Sequence, residues 1–313
     1  MTLHRSQLDP QVLRLIERGT VIPAHPLALD AARRLDRRRQ RALTRYYVEA
    51  GAGGLAVGVH ATQFTIREHG LYAPVLELAR DTAEEHLSRL QDKRPLVLIA
   101  GLAGNTQQAL AEARTAISLG YHCGMLSLAA LRGADVDALI RHCESVAAEI
   151  PLVGFYLQTA VGGIDLPAEF WRRFAGIDNV IAIKVAPFNR YRTLDVARGI
   201  ALANAENRVS LYTGNDDHIV LDLLVPLSVR RPSLDGQSIE TVSIQVRGGL
   251  LGHWSIWTRR AVELMERIHA ARAMPAIDRD LLALDARITD CNADRKSTRL
   301  NSSHANISYA VFC

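Results

Sequence analysis

Short apolar runs alternate with longer amphipathic stretches along almost the whole chain, and this alternation constrains the fold more than any other feature. Eight apolar runs, each followed by a helical pattern, predict an α/β protein with a (β/α)8 TIM barrel in a single domain. A doubly wound sheet is the alternative, although it ordinarily needs fewer strands for 313 residues. The predicted strands are residues 20–22, 54–60, 96–100, 123–127, 152–158, 180–186, 209–213 and 241–246, and the main helical patterns are 30–50, 107–119, 136–148 and 194–203.

The chain divides into three parts on this basis. We predict an N-terminal helix in residues 1–19, the barrel with its C-terminal helices in 20–293, and a non-native tail in 294–313. The tail changes abruptly to KSTRLNSSHANISYAVFC, which is rich in Ser and Asn and resembles translated adapter or vector read-through. A native C-terminus is the alternative.

Composition excludes several classes of protein. The formal net charge is +4, but without the tail residues Arg295, Lys296 and Arg299 the chain has 34 basic and 33 acidic residues. No nucleic-acid surface is therefore expected. The first residues lack the apolar core of a secretory signal, and the longest apolar run, 96–104, is too short to span a membrane. We therefore expect a cytoplasmic protein with no membrane partner.

The cysteines do not indicate a metal or disulfide framework. Outside the tail they number three and show no CxxC spacing; they are Cys123, Cys143 and Cys291. An odd set without paired spacing favours free thiols over a zinc site. No metal and no cofactor are expected.

Lysine is scarce in this chain, and one lysine stands in an apolar strand. Of 37 basic residues only Lys93, Lys184 and Lys296 are lysines. Lys93 belongs to a polar turn and Lys296 to the tail, whereas Lys184 lies within NVIAIKVAPF. Burial readily lowers the pKa of a lysine, and a neutral amine can attack a ketone to give a carbinolamine and then an iminium. Lys184 is therefore the candidate nucleophile, and a structural lysine paired with a carboxylate is the alternative.

Side-chain alternation predicts the direction of Lys184. Small Ala182 and Ala186 share its face of the strand, while the branched Ile183 and Val185 share the other. Because the branched face of a barrel strand packs against the helices, we expect Lys184 to project into the barrel near the C-terminal end of its strand. Catalytic groups of this fold gather at that end.

The same alternation predicts two more inward side chains. Tyr156 in LVGFYLQ would relay protons to the carbinolamine oxygen, although a strand tyrosine is more commonly a packed aromatic. His60 in GLAVGVH would also face inward, although a hydrogen-bonded core histidine is the commoner case. The backbone N–H groups of the turn around Gly58, Val59 and His60 are the candidate seat for a substrate carboxylate.

Two further motifs have simple explanations. Asn215, Asp216, Asp217 and His218 lack a second ligand at metal-binding spacing, so we expect Asp216 or Asp217 to cap the following helix. The glycines of RGGLLGH follow the eighth predicted strand, where many barrels bind a phosphate, although a tight turn alone would explain them.

Five segments, in chain order, resemble one family. GLAVGVHAT, AGLAGNT, VGFYLQTAVGG, IAIKVAP and YTGNDD resemble the dihydrodipicolinate synthase / N-acetylneuraminate lyase superfamily, class I pyruvate-type aldolases on a (β/α)8 barrel. The resemblance covers about residues 20–265, and its most specific part is the pair Tyr156 and Lys184, 28 residues apart. It implies that Lys184 forms a Schiff base with a 2-oxo acid and that Tyr156 relays protons.

The chain departs from this family at three points. The turn that normally reads Gly-Thr-Thr-Gly-Glu or Gly-Ser-Thr-Gly-Glu is GVHAT here, so His60 stands where a hydroxyl usually holds the substrate carboxylate. Residues 127–130, SLAA, replace a Thr-Pro-Tyr-Tyr motif whose tyrosine neighbouring subunits exchange in the synthase itself. The arginine expected five residues after Tyr156 is Val161.

The resemblance and its departures together define the expected function. We expect a lyase, either an aldolase or a dehydratase, that acts on a 2-oxo acid such as pyruvate or a 2-keto-3-deoxy sugar acid, without a cofactor and as a homo-oligomer (dimer or tetramer). The lysine-pathway synthase activity is not expected. Two alternatives stay open: a small-molecule-binding member of the fold without turnover, and a phosphate-binding barrel enzyme in which Lys184 contacts the phosphate.

Overall fold

The computed structural model describes residues 2–91, 93–233 and 235–297, and the side chains up to residue 293. Eight parallel strands form one sheet that curves into a nearly closed barrel, and helices surround it. The predicted (β/α)8 barrel is confirmed. Most of the predicted tail, from residue 298 onward, lies outside the described residues.

The barrel strands follow one another around the sheet in the order β1-β10-β7-β6-β5-β4-β3-β2. A parallel bridge between Ala24 and Ala56 brings the two ends of the sheet together. The barrel strands are β1 (Val21–Pro23), β2 (Gly54–Val57), β3 (Val97–Leu102), β4 (Cys123–Leu126), β5 (Leu152–Leu157), β6 (Val180–Ala186), β7 (Ser210–Thr213) and β10 (Val246–Leu251). An antiparallel hairpin of β8 (Leu227–Pro232) and β9 (Ile239–Ile244) lies outside the barrel.

The prediction for the eighth barrel strand is wrong. Most of residues 241–246 belongs to the hairpin strand β9, and the barrel strand β10 begins at Val246 and contains the RGGLL segment. A Cβ atom on Gly248 would lie 2.5 Å from the carbonyl oxygen of Thr20, and one on Gly249 would lie 2.5 Å from the Trp254 ring. These two glycines therefore allow close packing within a strand, and the turn predicted for them does not form there.

Ten α-helices accompany the strands in the described part of the chain. They are α1 (Pro10–Arg18), α2 (Arg37–Glu49), α3 (Tyr72–Arg89), α4 (Thr106–Ser118), α5 (Val136–Ala147), α6 (Ala168–Gly176), α7 (Arg190–Leu202), α8 (Ile219–Leu224), α9 (Thr258–Arg272) and α10 (Arg279–Ser297). Helix α1 begins with Pro10 after the N-cap Asp9, whose side chain accepts a hydrogen bond from the Gln11 amide. None of the helices in the described residues is both long and apolar enough to cross a membrane.

Apolar side chains form two cores, one inside the barrel and one between the barrel and the helices. The inner core includes Ile99, Met125, Val153 and Ala182, and the helix α1 residues Val12 and Ile16 pack against it. The outer core contains the largest buried side chains, among them Trp171 and Tyr47. Helix α1 therefore covers the end of the barrel opposite the C-terminal ends of the strands.

Arginines bind the carbonyl groups at the ends of five helices. An α-helix leaves its last carbonyl groups without intrahelical donors, and a guanidinium with five N–H groups can satisfy several of them at once. This accounts for part of the preference for arginine over lysine in the composition. The pairs are Arg94 with the end of α2, Arg80 with α4, Arg208 with α6, Arg231 with α7 and Arg272 with α8.

The start of α8 is capped from a distant part of the chain. Asp285 of α10 accepts hydrogen bonds from the amides of Val220 and Leu221, at 3.0 and 3.1 Å. The prediction that Asp216 or Asp217 caps this helix is therefore wrong. The tertiary contact with α10 supplies the carboxylate that the local sequence suggested.

Candidate active site

Lys184 projects into the barrel from β6. Its neighbours on both sides, Ile183 and Val185, pack in the outer core, while Ala182 and Ala186 pack in the inner one. Only 8% of Lys184 is exposed. The structure thus places this side chain inside the barrel, in the last half of its strand.

The loop after β7 lies directly against the lysine. A Cβ atom on Gly214 would lie 2.6 Å from Cε of Lys184, and the Gly214 amide donates a 2.6 Å hydrogen bond to the carbonyl oxygen of Val185. Only a residue without a side chain leaves this space for the lysine. Sequence analysis missed Gly214, although its place just after a barrel strand adjacent to β6 could have indicated it.

Burial makes the amine of Lys184 unusually easy to deprotonate. It lowers the pKa of Lys184 from its ordinary value of 10.5 to about 8, and the negative charge of Asp216 opposes this shift. About half of the amine is therefore neutral at pH 8. Asp216 stands two residues beyond Gly214 in the same loop, so the motif that the sequence assigned to helix capping supplies the charge beside the lysine.

Tyr156 points away from the lysine, which corrects the sequence prediction. It pairs in register with Val185, and its ring lies 5.2 Å from that of Trp171 on α6. Its hydroxyl donates to Asp165 at 3.1 Å. The small residue on its face of β5, Gly154, leaves room for Phe174 of α6, since a Cβ there would lie 2.6 Å from that ring. The assumption that the small face points inward therefore fails on this strand.

Phe155 occupies the inward position instead. It pairs in register with Lys184 across β5 and β6, and paired residues on parallel strands project to the same face. The amine nitrogen of Lys184 lies 4.6 Å from the centre of the Phe155 ring. The structure therefore brings Phe155, and not Tyr156, to the lysine.

The turn after β2 interrupts the alternation that sequence analysis used for His60. Strand β2 ends at Val57, and Gly58 has a φ of +73° with its α-carbon facing Tyr72 of α3. Val59 packs in the inner core, and His60 opens a single 3-10 turn, half-buried, with its ring 5.9 Å from that of Phe64. Strand β2 ends three residues before His60, so the alternation within the strand does not extend to this residue, and its inward direction stays a prediction.

Hydrogen bonds fix this turn from both sides. The hydroxyl of Thr62 accepts from the Gly58 amide at 3.0 Å and donates to the carbonyl oxygen of His25 at 2.6 Å. On the other side, Arg67 donates to the carbonyl oxygen of Gly58 at 3.3 Å and binds both carboxylate oxygens of the buried Glu112. Sequence analysis missed Arg67 and Glu112, because residues 45 positions apart give no local signal.

A polar network joins the loops that follow β6 and β7. The side-chain oxygen of Asn215 accepts from the Phe188 amide at 3.1 Å, and Asp222 accepts from Thr213 at 2.7 Å and from Arg190 at 2.6 Å. Asn215 and Asp222 are both buried. The same two loops line a cavity of about 270 Å³. The network holds the loop carrying Gly214 and Asp216 against the end of β6.

These features define a class of protein: a (β/α)8 barrel with a buried lysine of lowered pKa inside it. Within the described residues, no group of three or more His, Cys, Asp or Glu side chains is arranged to hold a metal. The groups described at this site are the amine of Lys184, the ring of Phe155 and the carboxylate of Asp216.

Comparison with known proteins identifies the relatives of this barrel. No family model matches the chain. A 4-hydroxy-tetrahydrodipicolinate synthase from Persephonella marina is 28% identical over 189 residues, which are 58% of this chain and 58% of that protein. The synthase of the same name from Sulfurihydrogenibium sp. is 25% identical over 196 residues, 61% of each chain. The matched region thus spans about three fifths of these relatives.

Solved structures show the same fold at low identity. CdNal from Clostridium difficile, solved with mannosamine, has a TM-score of 0.69 at 13% identity and covers 90% of this chain and 84% of its own. A dihydrodipicolinate synthase from Acinetobacter baumannii, solved with pyruvate, has a TM-score of 0.69 at 18% identity, with 88% and 82% covered. The resemblance inferred from the sequence is confirmed: the chain is similar in sequence to these two synthases, and its fold is similar to that of solved structures that include CdNal and a dihydrodipicolinate synthase.

Proposed function

We propose that this protein is a Schiff-base-forming lyase, an aldolase or dehydratase, that acts on a 2-oxo acid such as pyruvate or a 2-keto-3-deoxy sugar acid. The observation that carries the proposal is Lys184, an amine inside the barrel whose pKa burial lowers to about 8. The relatives named as synthases support a lyase of this general type.

The reaction begins with the neutral amine. Its nitrogen lone pair attacks the ketone carbon of the 2-oxo acid, and one proton passes from nitrogen to oxygen to give the neutral carbinolamine. The carbinolamine hydroxyl then takes up one proton from solvent and leaves as water, which leaves an iminium on Lys184. The iminium draws electrons from the adjacent carbon, so a carbon–carbon or carbon–oxygen bond next to it can break or form. We assign to Asp216 the role of accepting and returning the protons that these steps move, and its electrostatic effect on the amine supports this assignment.

The substrate carboxylate needs a separate seat. We assign it to the turn of Gly58, Val59 and His60, because Thr62 and Arg67 hold this turn rigidly and His60 begins a 3-10 turn there. The proton relay that the resemblance assigns to Tyr156 is left out of the proposal. Its hydroxyl is bonded to Asp165 on the outer side of β5.

One observation favours a second candidate, a binding protein without turnover. The side chain beside the Lys184 amine is the phenyl ring of Phe155, which carries no proton to donate. A barrel of this kind could form the Schiff base and then stop. The phosphate-binding enzyme has less support, since Gly248 and Gly249 lie within β10 and not in a loop after it.

Reductive trapping tests the proposal. Borohydride in the presence of pyruvate should fix the adduct on the peptide that contains Lys184, as read by mass spectrometry. Lys184→Arg keeps the positive charge but cannot provide a neutral amine, so trapping should vanish while the circular dichroism spectrum is unchanged. Lys93→Arg is the matched control, because Lys93 is exposed in the segment before β3.

Each outcome has a distinct meaning. Trapping that persists in folded Lys184→Arg protein would refute the assignment of Lys184. Trapping of the unaltered protein without turnover of any 2-oxo acid in a substrate panel would favour the binding protein. A dimer or tetramer stays our prediction for the assembly, and light scattering would measure it. A cytoplasmic location also stays a prediction.

A further inference from the structure

Phe155 contacts Lys184, and sequence analysis did not connect the two residues. Its ring centre lies 4.6 Å from the lysine nitrogen, within the range of a cation–π contact. The register between β5 and β6 fixes this contact, because Phe155 and Lys184 are directly paired. Phe155 is 6% exposed and Lys184 8%, so little water competes with the ring for the amine.

We propose that Phe155 is a catalytic residue of this site, whose ring face binds the lysine nitrogen whenever that nitrogen is positively charged, as ammonium and as iminium. The ammonium part of this inference stands on the contact alone, and the iminium part rests on the function proposed above. No hydroxyl group takes part in this role.

The charge balance of the reaction explains what the ring contributes. When the ammonium form of Lys184 reacts with a ketone, two protons leave the nitrogen with the ketone oxygen as water, and the nitrogen lone pair completes the carbon–nitrogen double bond. One positive charge is present on nitrogen before and after. The ring therefore stabilises the iminium relative to the neutral amine, and it stabilises the ammonium in the same way.

The other groups around the amine have different roles. Asp216, on the loop after β7, adds a negative charge near the nitrogen. Tyr212 pairs in register with Lys184 on β7, but its hydroxyl donates to the carbonyl oxygen of Ile16, at the opposite end of the barrel. The ring of Phe155, by contrast, presents its face to the amine itself.

The first experiment does not require a Schiff base with substrate. The rate at which formaldehyde and cyanoborohydride methylate Lys184, followed by peptide mass spectrometry against pH, reports the midpoint of its titration. Phe155→Leu removes the ring, and a cation–π contact of this kind corresponds to a downward shift of about 0.5–1 pH unit in that midpoint. Phe155→Tyr keeps a ring and should keep the midpoint, and Phe155→Met replaces the leucine variant if that variant fails to fold.

The neighbouring residue supplies the matched control. Tyr156→Phe changes the outer face of the same strand, so it should leave the midpoint where it is. With pyruvate and borohydride at a pH above the midpoint of the Lys184 titration, the trapped fraction in Phe155→Leu should fall by about 3- to 10-fold. This factor corresponds to the same free energy as the shift of about 0.5–1 pH unit. This fall should be absent in Phe155→Tyr.

Three results would overturn the inference. They are a leucine or methionine variant with an unchanged midpoint, a tyrosine variant that shifts as the leucine variant does, and a shift in Tyr156→Phe as large as in Phe155→Leu. If the titration midpoints of the variants shift as expected but the unaltered protein never traps pyruvate, the proposed function fails while the contact between ring and amine survives.

Discussion

Gly214→Ala should impair the chemistry of Lys184 far more than it impairs the fold. The new methyl group would start 2.6 Å from Cε of Lys184, whereas ordinary contacts between such atoms are 3.4–4 Å. The lysine must therefore move by about 1 Å, and a misplacement of this size costs roughly 100-fold in rate when a reacting atom is involved. We expect trapping of pyruvate on Lys184 to slow by about that factor.

The cost in stability should be smaller, because the atom that must move is the flexible end of a side chain. The other neighbours of the new methyl group, Cβ of Ala186 and the carbonyl oxygen of Val185, lie at 3.0 and 3.2 Å and need to shift by only a few tenths of an ångström. Overpacking of this extent costs about 1–2 kcal/mol. Thermal unfolding should show a modest decrease in Tm.

The matched control is Gly252→Ala at the same end of the barrel. Gly252 has a φ of −65° and open space where a Cβ would lie, so alanine fits without displacing any neighbour. This variant should trap pyruvate at the normal rate. Equal trapping rates in Gly214→Ala and Gly252→Ala, with both folded, would show that Lys184 does not react from the position described.

Two further predictions concern stability. The amine of Lys184 binds a proton below pH 10.5 in the unfolded chain but only below a pKa of about 8 in the folded protein. Below pH 8 the free energy of unfolding should therefore be about 3 kcal/mol lower than that of Lys184→Met, and this difference should shrink as the pH rises from 8 to 10.5. Urea unfolding at several pH values measures the difference, and a difference independent of pH would contradict the buried amine. Arg208→Met should lower the free energy of unfolding by about 2–3 kcal/mol without altering trapping on Lys184. The reason is that the guanidinium donates to carbonyl groups at the end of α6, those of Ala175, Ile177, Asp178 and Val180. An unchanged midpoint of urea unfolding would show that water satisfies these carbonyl groups equally well.

Much of the barrel could be predicted because parallel strands buried on both faces read as continuous apolar runs. Strand β6 has the predicted bounds, and β4 and β5 are each one residue shorter. The eighth strand could not be found in this way. Its two glycines carry no apolar signal, and they are required by the approach of Thr20 and Trp254, which are distant in sequence.

The candidate site was predictable in part, for a similar reason. The rarity of lysine and the small neighbours of Lys184 were sufficient to place that residue. The direction of β5 was not predictable, since its glycine leaves room for Phe174 on the helix side. The structural register, and not the spacing to Tyr156, decides which aromatic ring meets the amine.

The sign of the lysine's pKa shift bears on whether Lys184 is merely structural. Where this chain needs a buried cation paired with a carboxylate, it uses arginine, as in Arg67 with Glu112 and Arg231 with Glu206. A lysine held in such a pair would have its pKa raised, because the opposite charge stabilises the protonated form. Burial outweighs Asp216 at Lys184, and the pKa falls to about 8. At a given pH the site therefore makes the neutral amine, the form that a nucleophile requires, more available than it is in an exposed lysine.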